Sequence, residues 1–169
     1  MNDEHLTIES PLGPLTLQAN EAGLTQIRFL EGEGPRAPEA EGARGGALVE
    51  EAQRQLEAYF AGTRTDFDLP LAPEGTDFMK SVWKELVRIP FGATISYGEL
   101  AQRVGDPNAS RAVGAANGKN PLPIVIPCHR VIGADGSLTG FAGGIELKRR
   151  LLEHEGTLPE TTPSLFEKS

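Results

Sequence analysis

One of the 169 residues is a cysteine, and it stands in the run Pro127-Cys128-His129-Arg130-Val131, directly before one of only three histidines. Covalent chemistry in this chain would therefore be thiol chemistry at that point. Sulfur attacks as the thiolate, so a working site needs a neighbour that takes the proton or a field that favours the anion. Without such help a lone cysteine is a small buried hydrophobe, and the Cys-His pair alone leaves both readings open. The preceding stretch, Pro121 to Pro127, holds three prolines, which bar a regular helix. Its Leu122, Ile124, Val125 and Ile126 call for burial. A stiff, buried, irregular segment thus carries a reactive-type dipeptide at its end.

The elements that must hold this segment follow from apolar spacing. Residues 5–30 read as a three-stranded antiparallel meander, with Leu6/Ile8, Leu15/Leu17 and Leu24/Ile27/Phe29 separated by turn signals at Pro-Leu-Gly-Pro and Asn-Glu-Ala-Gly. Residues 31–46 are rich in Gly, Pro and Glu without periodic apolar positions and read as a mobile loop. From Ala47 to Ala61, residues Leu48, Val49, Ala52, Leu56, Tyr59 and Phe60 share one helical face, which should cover the sheet, and Gly62 ends the helix. Phe67 and Leu69 suggest a last short strand before a linker at Pro70–Gly75. Nothing in residues 1–75 proposes chemistry.

Beyond the linker the pattern turns helical. Thr76 or Asp77 caps a helix with Phe78, Val82, Trp83, Leu86 and Val87 on its inner face, stopped by Pro90-Phe91-Gly92. Ser96 and Glu99 form a capping box for a short helix that buries Leu100, Ala101 and Val104. Gly105–Asn108 then leads into a second helix, Ala109 to about Gly118, giving a helix-turn-helix pattern. This second helix is mostly Ala and Gly, whereas a helix reading base edges in the major groove carries several long polar side chains. Small residues allow close approach to a confined surface with Arg111 projecting into a base stack or onto phosphate. They equally allow tight helix–helix packing.

Composition narrows the class. The length suits one domain or two small ones, and 38% hydrophobic residues suffice for a core. No apolar run is long enough to span a membrane, and the N-terminus lacks signal-peptide character, which places the protein in the cytoplasm. One cysteine excludes an internal disulfide and any cysteine-based zinc cluster. The net charge of −8 is unevenly spread: residues 1–75 hold 14 Asp/Glu against 5 Arg, a net of −9, while residues 76–158 hold 8 against 10 Lys/Arg, a net of +2. The C-terminal half is able to meet phosphates that the N-terminal half would repel, although acidic surface also serves solubility.

The residues of the C-terminal half support a more specific identification. Thr76-Asp77-Phe78, Val82-Trp83, Ile89-Pro90, Ser96-Tyr97, Leu100-Ala101, Arg111-Ala112-Val113-Gly114, Asn120-Pro121, Pro127 to Val131, Gly143-Gly144 and Leu151 to Gly156 together resemble the methylated-DNA–protein-cysteine methyltransferases, which remove alkyl groups from guanine O6 in DNA. The resemblance covers roughly residues 76–156. It implies an α+β fold: a small N-terminal antiparallel sheet with a covering helix (ribonuclease H-like) over 1–75, then a mainly helical domain with a winged helix-turn-helix over 76–158, and a flexible tail over 159–169.

The same resemblance assigns roles. Cys128 would accept the alkyl group, His129 would be the base acting through a water, Glu155 would orient that histidine, and Asn120 would fix the active-site turn. Arg111 would fill the gap left by the extruded nucleotide. The helix carrying Ala112 and Ala115 would lie in the minor groove of double-stranded DNA containing O6-alkylguanine, with Tyr97 and Arg130 helping to shape the site and contact DNA. Tyr97, Val131, Phe141 and Ala142 would line the substrate pocket. Some relatives have Tyr and Ser where Phe141 and Ala142 stand here, so two hydroxyl hydrogen bonds would be absent. Zinc-carrying relatives use N-terminal cysteines that this chain lacks, so neither metal nor cofactor is expected, and the protein is read as a monomer.

The thioether product is stable and no second thiol exists to release it, which predicts one reaction per molecule. Three rival functions remain: a cysteine hydrolase, a protein that binds alkylated bases without chemistry, and a helix-turn-helix regulator. The first requires turnover, the second lacks the acceptor cysteine in related proteins, and the third is disfavoured by the small residues of its recognition helix.

Overall fold

The computed structural model describes residues 3–30, 45–138, 141 and 144–157. Most of the loop expected over 31–46, the tail over 159–169, and Ala142 lie outside these residues. Three antiparallel strands open the chain, β1 (Glu4–Ile8), β2 (Leu15–Asn20) and β3 (Gly23–Phe29), in the order β1-β2-β3. Helix α1 (Ala47–Phe60) lies across them and buries Val49, Ala52, Leu56 and Tyr59. Its N-terminus has no cap from its own chain end. Instead the Glu4 carboxylate of β1 accepts from the Leu48 and Val49 amides at 3.1 and 3.0 Å, placing negative charge at the positive end of the helix. Gly46 makes this possible, since a Cβ there would overlap the Glu4 carboxylate.

The strand expected at Phe67 and Leu69 is absent. Gln55, buried on α1, donates to the Asp68 carbonyl at 3.0 Å and accepts from its amide at 2.9 Å, so a side-chain amide satisfies the backbone that a strand partner would have satisfied. Leu71 alone reaches the sheet, in an isolated parallel bridge to Leu24.

The second half comprises α2 (Asp77–Val87), β4 (Ile95–Ser96), α3 (Tyr97–Arg103), α4 (Ser110–Gly118), one 3-10 turn at Cys128–Arg130, β5 (Val131–Ile132) and α5 (Ile145–His154). Thr76 caps α2 by accepting from Met79 N, and Ser96 caps α3 by accepting from Glu99 N. The Glu99 carboxylate pairs with Arg103. On α2 the buried face is Val82, Trp83 and Leu86 only. Phe78, in the first turn beyond the edge of the core, and Val87, at the last turn, are exposed, contrary to the inner face expected from spacing. α3 and α4 form the helix-turn-helix and pack on α2, where the Trp83 indole donates to the Ala116 carbonyl at 2.9 Å. β4 and β5 pair in parallel, and the 133–137 turn after β5 closes with Gly133 N donating to Ser137 O. One apolar cluster runs through both halves, from Leu15 and Leu56 to Leu100, Ile126 and Leu151.

Candidate active site

The segment before the cysteine is held by Asn120. Its carbonyl oxygen accepts from Leu122 N at 2.9 Å and its amide donates to Ile126 O at 2.7 Å, so one buried side chain pins both ends of the Leu122–Ile126 turn. Within that turn Ile124 has φ +77°, a left-handed conformation that a β-branched residue adopts only under constraint. Burial of its side chain and the Asn120 clamp supply the constraint. The turn is also tied to the sheet, because Ile27 N of β3 donates to Pro121 O at 2.9 Å. The chain then enters the 3-10 turn, which buries Cys128, His129 and Arg130 together.

Glu155, just past the end of α5, is the hub of the site. Its Oε2 accepts from His129 Nε2 at 2.7 Å, from an Arg130 terminal nitrogen at 2.9 Å and from the Tyr59 hydroxyl at 2.6 Å, and its Oε1 accepts from Arg130 Nε at 2.8 Å. Burial alone would raise this carboxyl's pKa. Hydrogen bonds from His129 and Arg130, with the charge of the guanidinium and, once the ring is protonated, of the imidazole, outweigh burial and hold it down at about 2. Glu155, ionised near neutrality, can only accept, which fixes the imidazole with Nε2 as donor and leaves Nδ1 as the lone-pair nitrogen. Nδ1 has no hydrogen-bond partner among the described residues. Burial lowers the His129 pKa, partly offset by Glu155, so the ring rests neutral and able to accept a proton.

Cys128 is almost fully buried, and desolvation pushes its pKa up to about 11. The Asn120 hydrogen bond and the positive charge of Lys148 pull in the other direction. The resting sulfur is therefore a thiol, and its reaction requires a base. Lys148 was not singled out by sequence reasoning. Its ammonium, fully buried, donates to Val131 O at 2.6 Å and lies 5.9 Å from the centre of the Tyr97 ring. Burial brings its pKa down to about 8. The signal was present: Lys148, Leu151, Leu152 and Glu155 follow the i, i+3, i+4, i+7 spacing of one helical face. Tyr59 was read only as part of an apolar face, and its hydroxyl contact spans 96 positions of sequence, beyond any local pattern.

Cys128, His129, Glu155 and Asn120, the proposed catalytic residues, are all buried around the cysteine turn. Arg130 was expected to help shape the site and contact DNA; it is buried within the site, with its guanidinium divided between Glu155 and the Ile89 carbonyl at 2.5 Å, and is not exposed for a DNA contact. Tyr97 is half-buried at the start of α3, its ring beside Gly114 of α4. Val131 is buried beside the cysteine turn, and Phe141 is buried against Phe29 of β3, ring centres 5.9 Å apart. On α4 the residues Arg111, Ala112 and Ala115 are exposed, while Val113, Ala116 and Asn117 face inward. Ala116 thus packs inward, whereas Ala112, Ala115 and Arg111 stand on the outer face. Among the described residues no group of three or more His, Cys, Asp or Glu could hold a metal, and no helix is long and apolar enough to cross a membrane.

Comparison with known proteins gives a consistent picture. Residues 5–73 match the model of the 6-O-methylguanine DNA methyltransferase ribonuclease-like domain, and residues 77–157 match that of its DNA binding domain. A methylated-DNA–protein-cysteine methyltransferase of Methanosarcina acetivorans is 51% identical over 149 residues, covering 88% of this chain and 96% of that protein. The Mycobacterium tuberculosis enzyme of the same name is 51% identical over 166 residues, covering 95% and 97%. The crystal structure of the M. tuberculosis O6-methylguanine methyltransferase superposes with a TM-score of 0.81 at 48% identity, over 98% of this chain and 100% of that one. A structure of M. tuberculosis OGT in complex with DNA superposes with a TM-score of 0.78 at 49% identity, over 92% and 95%.

Proposed function

The chain belongs to the methylated-DNA–protein-cysteine methyltransferase family, and from that membership we propose how its residues carry out the repair. It is an O6-methylguanine DNA methyltransferase that binds DNA and repairs alkylated guanine. Cys128 is the acceptor. As the alkylated base enters, the thiol proton passes through a water to Nδ1 of His129, and the resulting imidazolium is stabilised by Glu155. Sulfur attacks the alkyl carbon in line with the bond to O6. That bond breaks with its electrons moving to the guanine, which takes up a proton as it leaves, and a thioether remains on Cys128. Asn120 holds the turn that aims the sulfur. Tyr97, Val131 and Phe141 line the base pocket.

Because the sulfur is buried, the target nucleotide must leave the duplex to reach it. Arg111 enters the stack in its place, and the exposed Ala112 and Ala115 let α4 lie in the minor groove of double-stranded DNA. The protein acts as a monomer in the cytoplasm, where a free thiol stays reduced. Residues 1–75 form a structural unit and residues 76–158 the alkyl-acceptor unit. The observation that carries this reading is the hydrogen-bonded pair Glu155–His129 with the Nδ1 lone pair left over, next to the one thiol of the chain. A test mixes the protein with excess duplex containing O6-methylguanine. One guanine restored per protein molecule, then none, with no restoration by Cys128→Ser, supports irreversible transfer. Continued turnover would indicate hydrolysis, and binding without restoration would indicate recognition only.

A further inference from the structure

Tyr59 belongs to α1, in the half of the chain that carries no reacting group, yet both ends of this residue grip the end of α5. Its hydroxyl donates to Glu155 Oε2 at 2.6 Å, and its backbone carbonyl accepts from His154 Nε2 at 2.8 Å. The side chain is fully buried, with Phe60, Phe67, Phe91 and the His154 ring at centre distances of 5.2, 5.5, 6.1 and 4.9 Å. A phenylalanine would fill the same aromatic cage. The hydroxyl adds a donor aimed at the oxygen that also takes the His129 hydrogen bond. Glu155 is thus approached by His129 and Arg130 from the 3-10 turn and by Tyr59 from α1, and Arg130 and Lys148 of α5 are the further charged groups that act on His129 among the described residues.

We propose that Tyr59 is a positioning residue for alkyl transfer: its hydroxyl orients Glu155 and shares the charge of Oε2, and so sets both the aim and the basicity of His129 from the N-terminal half. The inference rests on the assignment of Cys128, His129 and Glu155 above. Without the hydroxyl, the charge of Oε2 falls more fully on the imidazole, which then keeps its proton to higher pH. The acid limb of the transfer rate must move upward in pH, because the free base is lost sooner as pH falls.

The test is single-turnover methyl transfer from saturating duplex containing O6-methylguanine, measured from pH 5 to 9 with the full chain, Tyr59→Phe and Phe67→Leu. Tyr59→Phe should transfer roughly tenfold more slowly near neutrality, with its acid limb displaced to higher pH and its duplex affinity unchanged. Phe67→Leu loosens the same cage without touching the hydroxyl, and should lower thermal stability while leaving the pH profile in place. A Tyr59→Phe profile that superposes on the original overturns the proposal, as does a Phe67→Leu profile that moves equally. Should Tyr59→Phe not fold, proton NMR of the original chain decides: a slowly exchanging, downfield Tyr59 hydroxyl proton supports the proposal and its absence overturns it. Failure of the original chain to transfer methyl would instead count against the function assigned to Cys128.

Discussion

The two halves of the molecule bury different things. Around β1–β3 and α1 the interior is Leu15, Leu17, Leu24, Val49 and Leu56, and its buried polar side chains, Thr16 and Gln55, carry no charge. Around the cysteine turn the interior holds Asn117, Asn120, His129, Arg130, Lys148, Glu153 and Glu155. Apolar burial stabilises a fold by about 25 cal/mol per Å² removed from water, whereas a buried charge destabilises unless its partners are complete. Both halves contribute apolar residues to the one core. Among the described residues only the second also buries charged side chains. Hydrogen bonds from Ile27 to Pro121 and from Tyr59 to Glu155 join them, with Phe29 packed on Phe141.

Variants that isolate each half sharpen this contrast. Glu155→Ala should have the largest effect, since it strands Arg130, His129 and the Tyr59 hydroxyl without their common acceptor. Loss of stability by about 3–5 kcal/mol is expected, together with loss of transfer; urea unfolding and a single-turnover assay measure the two. Stability within a few tenths of a kcal/mol of the original would break the contrast. Acid titration probes the same group without mutation. The Glu155 carboxyl sits near 2 in the folded chain against an ordinary 4.5, so its stabilisation is present above about pH 4.5 and is lost as pH falls toward 2. Equilibrium unfolding across that window should show a decline on the order of 3 kcal/mol from this group, and Glu155→Gln should flatten that decline.

Leu56→Ala provides the opposite case. It opens a cavity in the apolar half and should lower stability by about 3 kcal/mol while the folded fraction transfers methyl at the original rate. A slowed rate in fully folded protein would mean that general packing of the first half, and not the Tyr59 contact alone, reaches the site. Arg111→Ala should be the mildest for stability, because the side chain is exposed. Its effect belongs to DNA: roughly 30-fold slower transfer from duplex, the scale of a lost helper in base extrusion, with little change on the free alkylated base. Equal losses on both substrates would remove Arg111 from the extrusion step.

Much of this organisation was legible in the residues. Period-2 and period-3.6 patterns located the meander, α1 and the paired helices, and Thr76 and Ser96 act as the caps their types suggested. The family resemblance over residues 76–156, and not the Cys-His pair alone, proposed Asn120, His129 and Glu155 as site residues. What escaped depended on contacts distant in sequence. Gln55 replaced the strand expected at Phe67 and Leu69 because one buried amide met both backbone groups of Asp68. Arg130 turned inward because Glu155 offered it two oxygens, where an arginine in a DNA-binding half reads as a surface residue. Tyr59 looked apolar because spacing reports the face a ring occupies and says nothing of the hydroxyl at its tip.

The most direct measurement follows the alkyl group itself. Duplex DNA bearing an isotopically labelled methyl at guanine O6 is incubated with the full chain under reducing conditions, and the protein is digested and mapped by mass spectrometry. One label per molecule on the peptide containing Cys128, with unmodified guanine in the DNA, is the predicted result. Label on another residue, or label released as methanol while the protein stays unmodified, would contradict the assignment of Cys128 as the acceptor.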